Sequence, residues 1–324
     1  MDTRNYEAQA EVNGKGRMRR LVFAFIVAIA TVVSVRAQTD LLHTDPWARH
    51  DSAIASEDRH DVPQFTMAAE TLGTPSEVSP LAAPVEDLFK KNYWFLVILD
   101  TNEVFTAPAR WDTHDWLVLG GIAAGIGTVA AFDEDIEHAI RGARNNTVTN
   151  IFDNMQPLGN EYAIGIVGTF YLYGEIFKDP RAKTTALDAI SASAIASGIV
   201  TNSFKYVIGR GRPTDGKGAY NFRPFSGQDS FSSGHTTEAF ALASVITEHY
   251  SAPWVQVTCY GLASAVGYAR LNNNRHWPSD VLAGATIGTF VGKTVVHFNA
   301  RHRQVKVQPI IGSNIHGVEM SLAW

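Results

Sequence analysis

Six long apolar segments, parted by short polar turns, occupy the chain from Trp116 to Phe298 and limit what it can fold into. Trp116–Phe132 carries no charge over its whole length, and Tyr162–Phe177 is apolar apart from Glu175. Ala186–Ile208 is rich in small residues, and further runs begin at Thr236, Ala252 and Val281. None alternates polar and apolar residues as a half-buried strand would, and all exceed ordinary strand length, so each reads as helix. The core is therefore expected to be all-α, a bundle of about six helices. The tail from Val305 to Trp324 places Gly312, Asn314 and Gly317 between two short β-prone runs, which fits a terminal hairpin.

Whether these helices cross a bilayer is left open by their composition. Several fall short of the roughly 20 residues a span requires, and Glu238, Glu248 and Lys293 interrupt others. Against that, Gly121/Gly125 and Gly284/Gly288/Gly292 recur at four-residue spacing, which lets helices approach closely in membrane bundles and in tight soluble ones. An integral membrane protein and a soluble or peripheral one both remain open.

At 324 residues and 45% apolar, the chain can bury one good-sized core. The net charge of −5 speaks against a nucleic-acid partner, and the single cysteine, Cys259, excludes an intrachain disulfide and a cysteine zinc site. Cys259 itself reads as a small buried hydrophobe. Near the start, Arg17–Arg20 precede the uncharged stretch Leu21–Val35, and Val35-Arg36-Ala37 supply small residues at −3 and −1. This is the pattern of an export signal over residues 1–37, or of an uncleaved anchor, and either places the mature chain outside the cytoplasm. Residues 38–110 read as a proline-dotted linker and peripheral segment. Within them Val85–Leu99 suits either an interface-seeking helix or one packed on the main domain, the domain proper spanning 111–300.

Three stretches hold polar groups that a purely structural bundle does not need. Lys205 and Arg212 are seven residues apart, but Gly209, Gly211 and Pro213 predict that the helix ends between them, so two cations are delivered at a helix end. Ser233-Gly234-His235 opens the next helix, where free N–H groups bind phosphate and a glycine lets backbone come close to a ligand. Arg270-Leu-Asn-Asn-Asn-Arg-His276-Trp-Pro-Ser-Asp280 leads into the last helix. His276 and Asp280 lie four apart across that turn, so the carboxylate is expected to accept an imidazole N–H and leave the other ring nitrogen free as a nucleophile.

Together the three stretches resemble the type 2 phosphatidic acid phosphatase (PAP2) superfamily, which includes bacterial acid phosphatases and vanadium haloperoxidases. Lys205, Arg212 and Pro213 match its Lys-x6-Arg-Pro block. Ser233, Gly234 and His235 match Pro-Ser-Gly-His with Ser232 in place of proline. Arg270, His276 and Asp280 match Ser-Arg-x5-His-x3-Asp with Ala269 in place of serine. The resemblance, covering about Trp116 to Phe298, implies that Lys205, Arg212 and Arg270 clamp phosphate oxygens with Ser233 and Gly234. It further implies that His276 attacks phosphorus, that Asp280 stabilises the imidazolium, and that His235 protonates the leaving group. No metal or cofactor is expected, since three fixed cations take that part.

The expected activity is phosphomonoester or pyrophosphate hydrolysis on a lipid-linked substrate at a membrane. A soluble periplasmic phosphatase acting on small organic phosphates is the alternative, and a haloperoxidase the more remote one. The stretch Asp133–His138 reads as a solvated turn with acidic residues at a helix start, and His114, His249, His297, His302 and His316, which lack partners at useful spacing, as surface or interface groups.

Overall fold

The structure, a computed structural model, describes residues 87–311 and 316–322. The expected export segment and most of the linker lie outside those residues. Within them the six apolar segments are all helical. The helices are α1 (Lys91–Thr106), α2 (Thr113–Ala131), α3 (Asp133–Gly142), α4 (Asn146–Met155), α5 (Glu161–Phe177) and α6 (Pro180–Ser193). A π-helical stretch, Ala194–Thr201, joins α6 to α7 (Asn202–Ile208), and α8 (Gly234–His249), α9 (Pro253–Asn272) and α10 (Pro278–Gln304) follow. The chain then forms β1 (Val305–Ile311) and β2 (His316–Leu322), antiparallel with Val305 opposite Leu322 and Ile311 opposite His316, so the terminal hairpin is present.

Some helix starts follow capping residues. Asp112 accepts from the Asp115 N–H while Asp115 reaches back to the Asp112 N–H, a reciprocal cap that opens α2. Asp179 caps α6 ahead of Pro180, whose missing N–H costs nothing in a first turn. α1, α3 and α4 add to the six expected segments. α3 arises from the acidic stretch that reads as a turn in the sequence. α1 carries features of both readings left open for residues 85–99: Tyr93, Leu96 and Val104 are buried and the Tyr93 hydroxyl donates to the Leu187 carbonyl at 3.0 Å, while Trp94, Phe95 and Ile98 are exposed.

The core lies where α6, its π-helical continuation, α8 and α10 meet. Ala189, Ala192, Ile195, Ala241, Leu242, Val245, Val291 and Val295 are buried together there, with Val104 of α1 and Ala163 of α5. Burying each larger side chain contributes about 1.5–3 kcal/mol. α8 and α10 run in the same direction, because Gly284, Gly288 and Gly292 meet α8 progressively further along it. A Cβ at Gly284 would stand 2.7 Å from the Ser233 carbonyl and one at Gly292 2.8 Å from that of Ala241, while one at Gly288 would strike the Thr237 carbonyl. The other glycine pair behaves differently, as nothing lies within 4 Å of a Cβ at Gly121 or Gly125.

Indeed no residue of α2 is buried, although it is apolar all round. A helix of that kind suits a hydrocarbon surrounding better than water. Among the described residues, three helices are long and apolar enough to cross a membrane: Thr113–Ala131, Pro180–Ile208 and Pro278–Arg303. The charges that interrupt the apolar run are in part paired, with Lys293 Nζ 3.0 Å from Glu248 Oε1. Cys259 is half-buried rather than buried.

Candidate active site

α7 ends as the glycines and proline require. Gly209 takes a left-handed conformation (φ 57°) and its N–H donates to the Lys205 carbonyl at 2.9 Å, and any Cβ there would run into the Arg223 carbonyl. The chain then makes a long loop to α8, held by backbone bonds Gly211–Asn221, Arg223–Gly209, Phe225–Tyr206 and Ser230–Arg210. Lys205 is thereby left on the last turn of α7, and Arg212 stands just beyond it on the loop. On α8, a Cβ at Gly234 would lie 3.6 Å from Lys205 Nζ, so the Lys205 ammonium sits over the start of that helix. Arg270 comes from the last turn of α9, and His276 and Asp280 from the turn into α10 and its first turn.

All three cations act on both imidazoles. Burial is the largest influence on His235, and Arg270, Lys205 and Arg212 add to it, so its pKa falls to about 4 despite the opposing charge of Glu161. Burial, Arg270, Arg212 and Lys205 likewise hold His276 well below its ordinary value, against the effect of its hydrogen bond to Ser230. Lys205, Arg212, Arg270, His235 and His276, from three distant stretches, are therefore gathered closely enough for each cation to act on both rings. Both imidazoles are neutral there at neutral pH. Arg270 is buried, and its Nε has no hydrogen-bond partner among the described residues. A buried, unpartnered guanidinium N–H is costly unless an anion completes it.

The orientation of His276 differs from the expected one. Its Nδ1 lies 2.7 Å from the Ser230 carbonyl and 3.9 Å from Asp280 Oδ2, so the carbonyl and not the carboxylate takes the imidazole N–H. A carbonyl can only accept, which fixes the proton on Nδ1 and leaves the Nε2 lone pair free. The chemical requirement is met by another acceptor. Asp280 is spent elsewhere: Oδ1 accepts from Arg210 Nη1 at 2.6 Å, and Oδ2 accepts from the Ser230 hydroxyl at 2.6 Å and the Trp277 N–H at 2.9 Å. It fixes Ser230, and Ser230 fixes His276.

Arg210 and Asp133 complete this arrangement and were not foreseen. Arg210 is 1% exposed and donates to Asp133 (2.6 Å), Asp280, the Ser279 hydroxyl (2.7 Å) and the Ala219 carbonyl (2.9 Å). Asp133 also accepts from the Ser279 N–H and hydroxyl. The acidic stretch read as a solvated turn thus has Asp133 fully buried as part of the site's support, while its helix-start reading holds. Ser233 sits at the N-cap of α8, yet its side chain caps nothing. Its N–H donates to the Asp280 carbonyl (3.1 Å), so that donor is not free for a ligand, and its hydroxyl accepts from Thr236 (2.9 Å). A further unforeseen residue, Asp229, holds Arg212 through two bonds, from Nε to Oδ1 (2.7 Å) and from Nη2 to Oδ2 (2.6 Å).

Of the histidines set aside, His249 lies 2.8 Å from Asp188 and His297 3.0 Å from Glu248, so both have partners that no short spacing reveals. Asp112, His114 and Asp115 come close enough to hold a cation, but they are largely exposed and the two carboxylates form the cap of α2.

The PAP2 superfamily profile matches residues 187–304, which contain every one of the pocket residues named from the sequence. A lipid A 1-phosphatase of Rhizobium etli is 32% identical over 197 residues, covering 56% of this chain and 82% of that protein. A lipid A 1-phosphatase of Porphyromonas gingivalis is 44% identical over 102 residues, covering 31% of this chain but 20% of that much longer relative. One of Rhizobium johnstonii is 32% identical over 127 residues, and the chain spans about half of it (51%). Among solved structures, Aquifex aeolicus LpxE aligns with a TM-score of 0.41 at 22% identity, covering 51% of this chain and 95% of that one. A Bacillus subtilis transmembrane PAP2-type phosphatidylglycerolphosphate phosphatase aligns at 0.40 and 17%, covering 64% and 94%.

Proposed function

The chain belongs to the PAP2 superfamily, and from that premise we propose that it is a lipid phosphatase of the bacterial envelope that removes a phosphate such as the 1-phosphate of lipid A. The observation that carries the reading is the buried, unpartnered Nε of Arg270, in a pocket where three cations face two neutral imidazoles. Such a pocket suits a phosphoryl group and the charge that spreads over its oxygens in the transition state. The lipid A substrate is drawn from the relatives, and the apolar helices, above all α2, support a membrane setting. We place the pocket on the periplasmic side, in keeping with the export-type N-terminus.

In the proposed reaction the Nε2 lone pair of His276 attacks phosphorus while Lys205, Arg212 and Arg270 hold the non-bridging oxygens. The free N–H of Gly234 adds a hydrogen bond at the start of α8. The bound phosphate offsets the three cations that add to burial in holding His235 neutral, so His235 takes up a proton as substrate binds. As the Nε2–P bond forms and the P–O ester bond breaks, the leaving oxygen takes that proton from His235. His235 then removes a proton from water, whose oxygen displaces Nε2 from phosphorus and releases orthophosphate. General acid–base help of this kind is worth about 10²–10⁴-fold. Asp280 stands 3.9 Å from the imidazolium formed and offsets its charge. With three fixed cations in place, the chemistry needs no metal ion.

The test is turnover of lipid A 1-phosphate, phosphatidate and p-nitrophenyl phosphate by purified protein in excess chelator. His276→Ala should abolish turnover together with the acid-labile phosphoenzyme seen after rapid quenching. Undiminished turnover in that variant would end the covalent route, and loss of wild-type activity in chelator would end the metal-free one.

A further inference from the structure

Asp229 is the one carboxylate hydrogen-bonded to the side chain of a clamp cation among the described residues. We infer that it is an internal stand-in for the substrate's phosphate, occupying the Nε–Nη2 edge of Arg212 and competing with the incoming anion for it. The inference rests on the phosphate-pocket reading above. Two parallel N–H···O bonds to that edge are the geometry in which a guanidinium takes a carboxylate or a phosphate, so one edge cannot serve both. Asp229 reaches further than Arg212, since its charge is also felt by Lys205 and Arg270, which puts it among all three clamp cations. Partial burial works to raise its carboxyl, but the Arg212 bonds and charge, with Lys205 behind them, outweigh it and keep the group ionised.

The contrast with Arg210 separates a displaceable partner from a structural one. Arg210 meets carboxylates whose side chains are 0% exposed, whereas the Asp229 side chain is 47% exposed and lies against solvent. The next residue, Ser230, is pinned by its N–H to the Arg210 carbonyl (3.0 Å) and its hydroxyl to Asp280 (2.6 Å). Asp229 can therefore rotate its side chain off Arg212 without disturbing the Ser230 carbonyl that orients His276. The consequence is weaker retention of orthophosphate, because a carboxylate stands ready to retake Arg212 as the product leaves.

The experiment is calorimetric titration of orthophosphate into the purified full chain in detergent, for wild type, Asp229→Asn, Asp229→Ser, Arg212→Ala and Arg212→Ala/Asp229→Asn. Competition predicts that both Asp229 variants bind about threefold tighter or better, the scale of a half-exposed ion pair. It also predicts that this gain disappears when Arg212 is absent. If Asp229 merely orients Arg212, its loss weakens binding, and that result overturns the inference. A gain that persists without Arg212 overturns it too, because the effect would then be general charge and not competition for one edge. Weaker binding by Arg212→Ala alone keeps the phosphate pocket standing in either case, whereas no phosphate binding by any form, wild type included, removes pocket and inference together.

Discussion

Replacing Arg210 with methionine tests whether the support beneath His276 is held by buried charge. The substitution removes the cation that Asp133 and Asp280 share and leaves both carboxylates with side chains 0% exposed. Each keeps other donors, Asp133 from Ser279 and Asp280 from Ser230 and Trp277, so the loss is that of charge compensation and not of every hydrogen bond. Breaking a buried pair by removing one partner costs about 3–5 kcal/mol, and since one cation serves both acids the figure is not doubled. At about 2–4 °C per kcal/mol for a domain of this size, the melting temperature should fall by roughly 6–20 °C. Asp133→Asn added to Arg210→Met removes one uncompensated charge, so the double variant should be less destabilised than the two single losses summed, by about 0.5–3 kcal/mol. The assay is thermal unfolding in detergent followed by intrinsic tryptophan fluorescence. A shift under about 2 °C for Arg210→Met, or strict additivity in the cycle, would refute the reasoning.

Histidine-ring NMR, assigned with a His235→Asn spectrum, should show His235 titrating near pH 4 in the free protein. Saturating orthophosphate should move that midpoint upward, because the anion offsets Arg270, Lys205 and Arg212, which otherwise oppose a further positive charge; a free-protein midpoint at or above 6 would contradict the pocket's field. Gly288→Ala should lose about 1–3 kcal/mol through its clash with the Thr237 carbonyl, whereas Gly125→Ala should be neutral or slightly stabilising, as thermal unfolding of the two variants would reveal.

Much of the site was legible because its residue types had no structural employment where they stood. Lys205 and Arg212 flank a forced helix end, and His235 and His276 open helices that need no imidazole. What could not be read was the support beneath them. Arg210 and Asp133 are 77 residues apart, and no periodicity links an acidic helix start to the middle residue of Gly-Arg-Gly. The His276–Asp280 spacing suggested a bond that four residues of helix would permit. The structure gives the N–H to Ser230 because the Asp280 carboxylate already has three stronger claims on it. Helices were equally legible from apolar length, but their surroundings were not. Gly121/Gly125 and Gly284/Gly288 look alike in sequence, and only the second pair meets another helix among the described residues.

The like-directed packing of α8 and α10 has an electrostatic consequence. It sets two positive helix ends side by side, a juxtaposition that antiparallel neighbours avoid. Asp280, in the first turn of α10, offsets part of that field, and a tetrahedral oxyanion would offset the remainder. An anion bound there strengthens the whole bundle by mass action as its concentration rises above its dissociation constant.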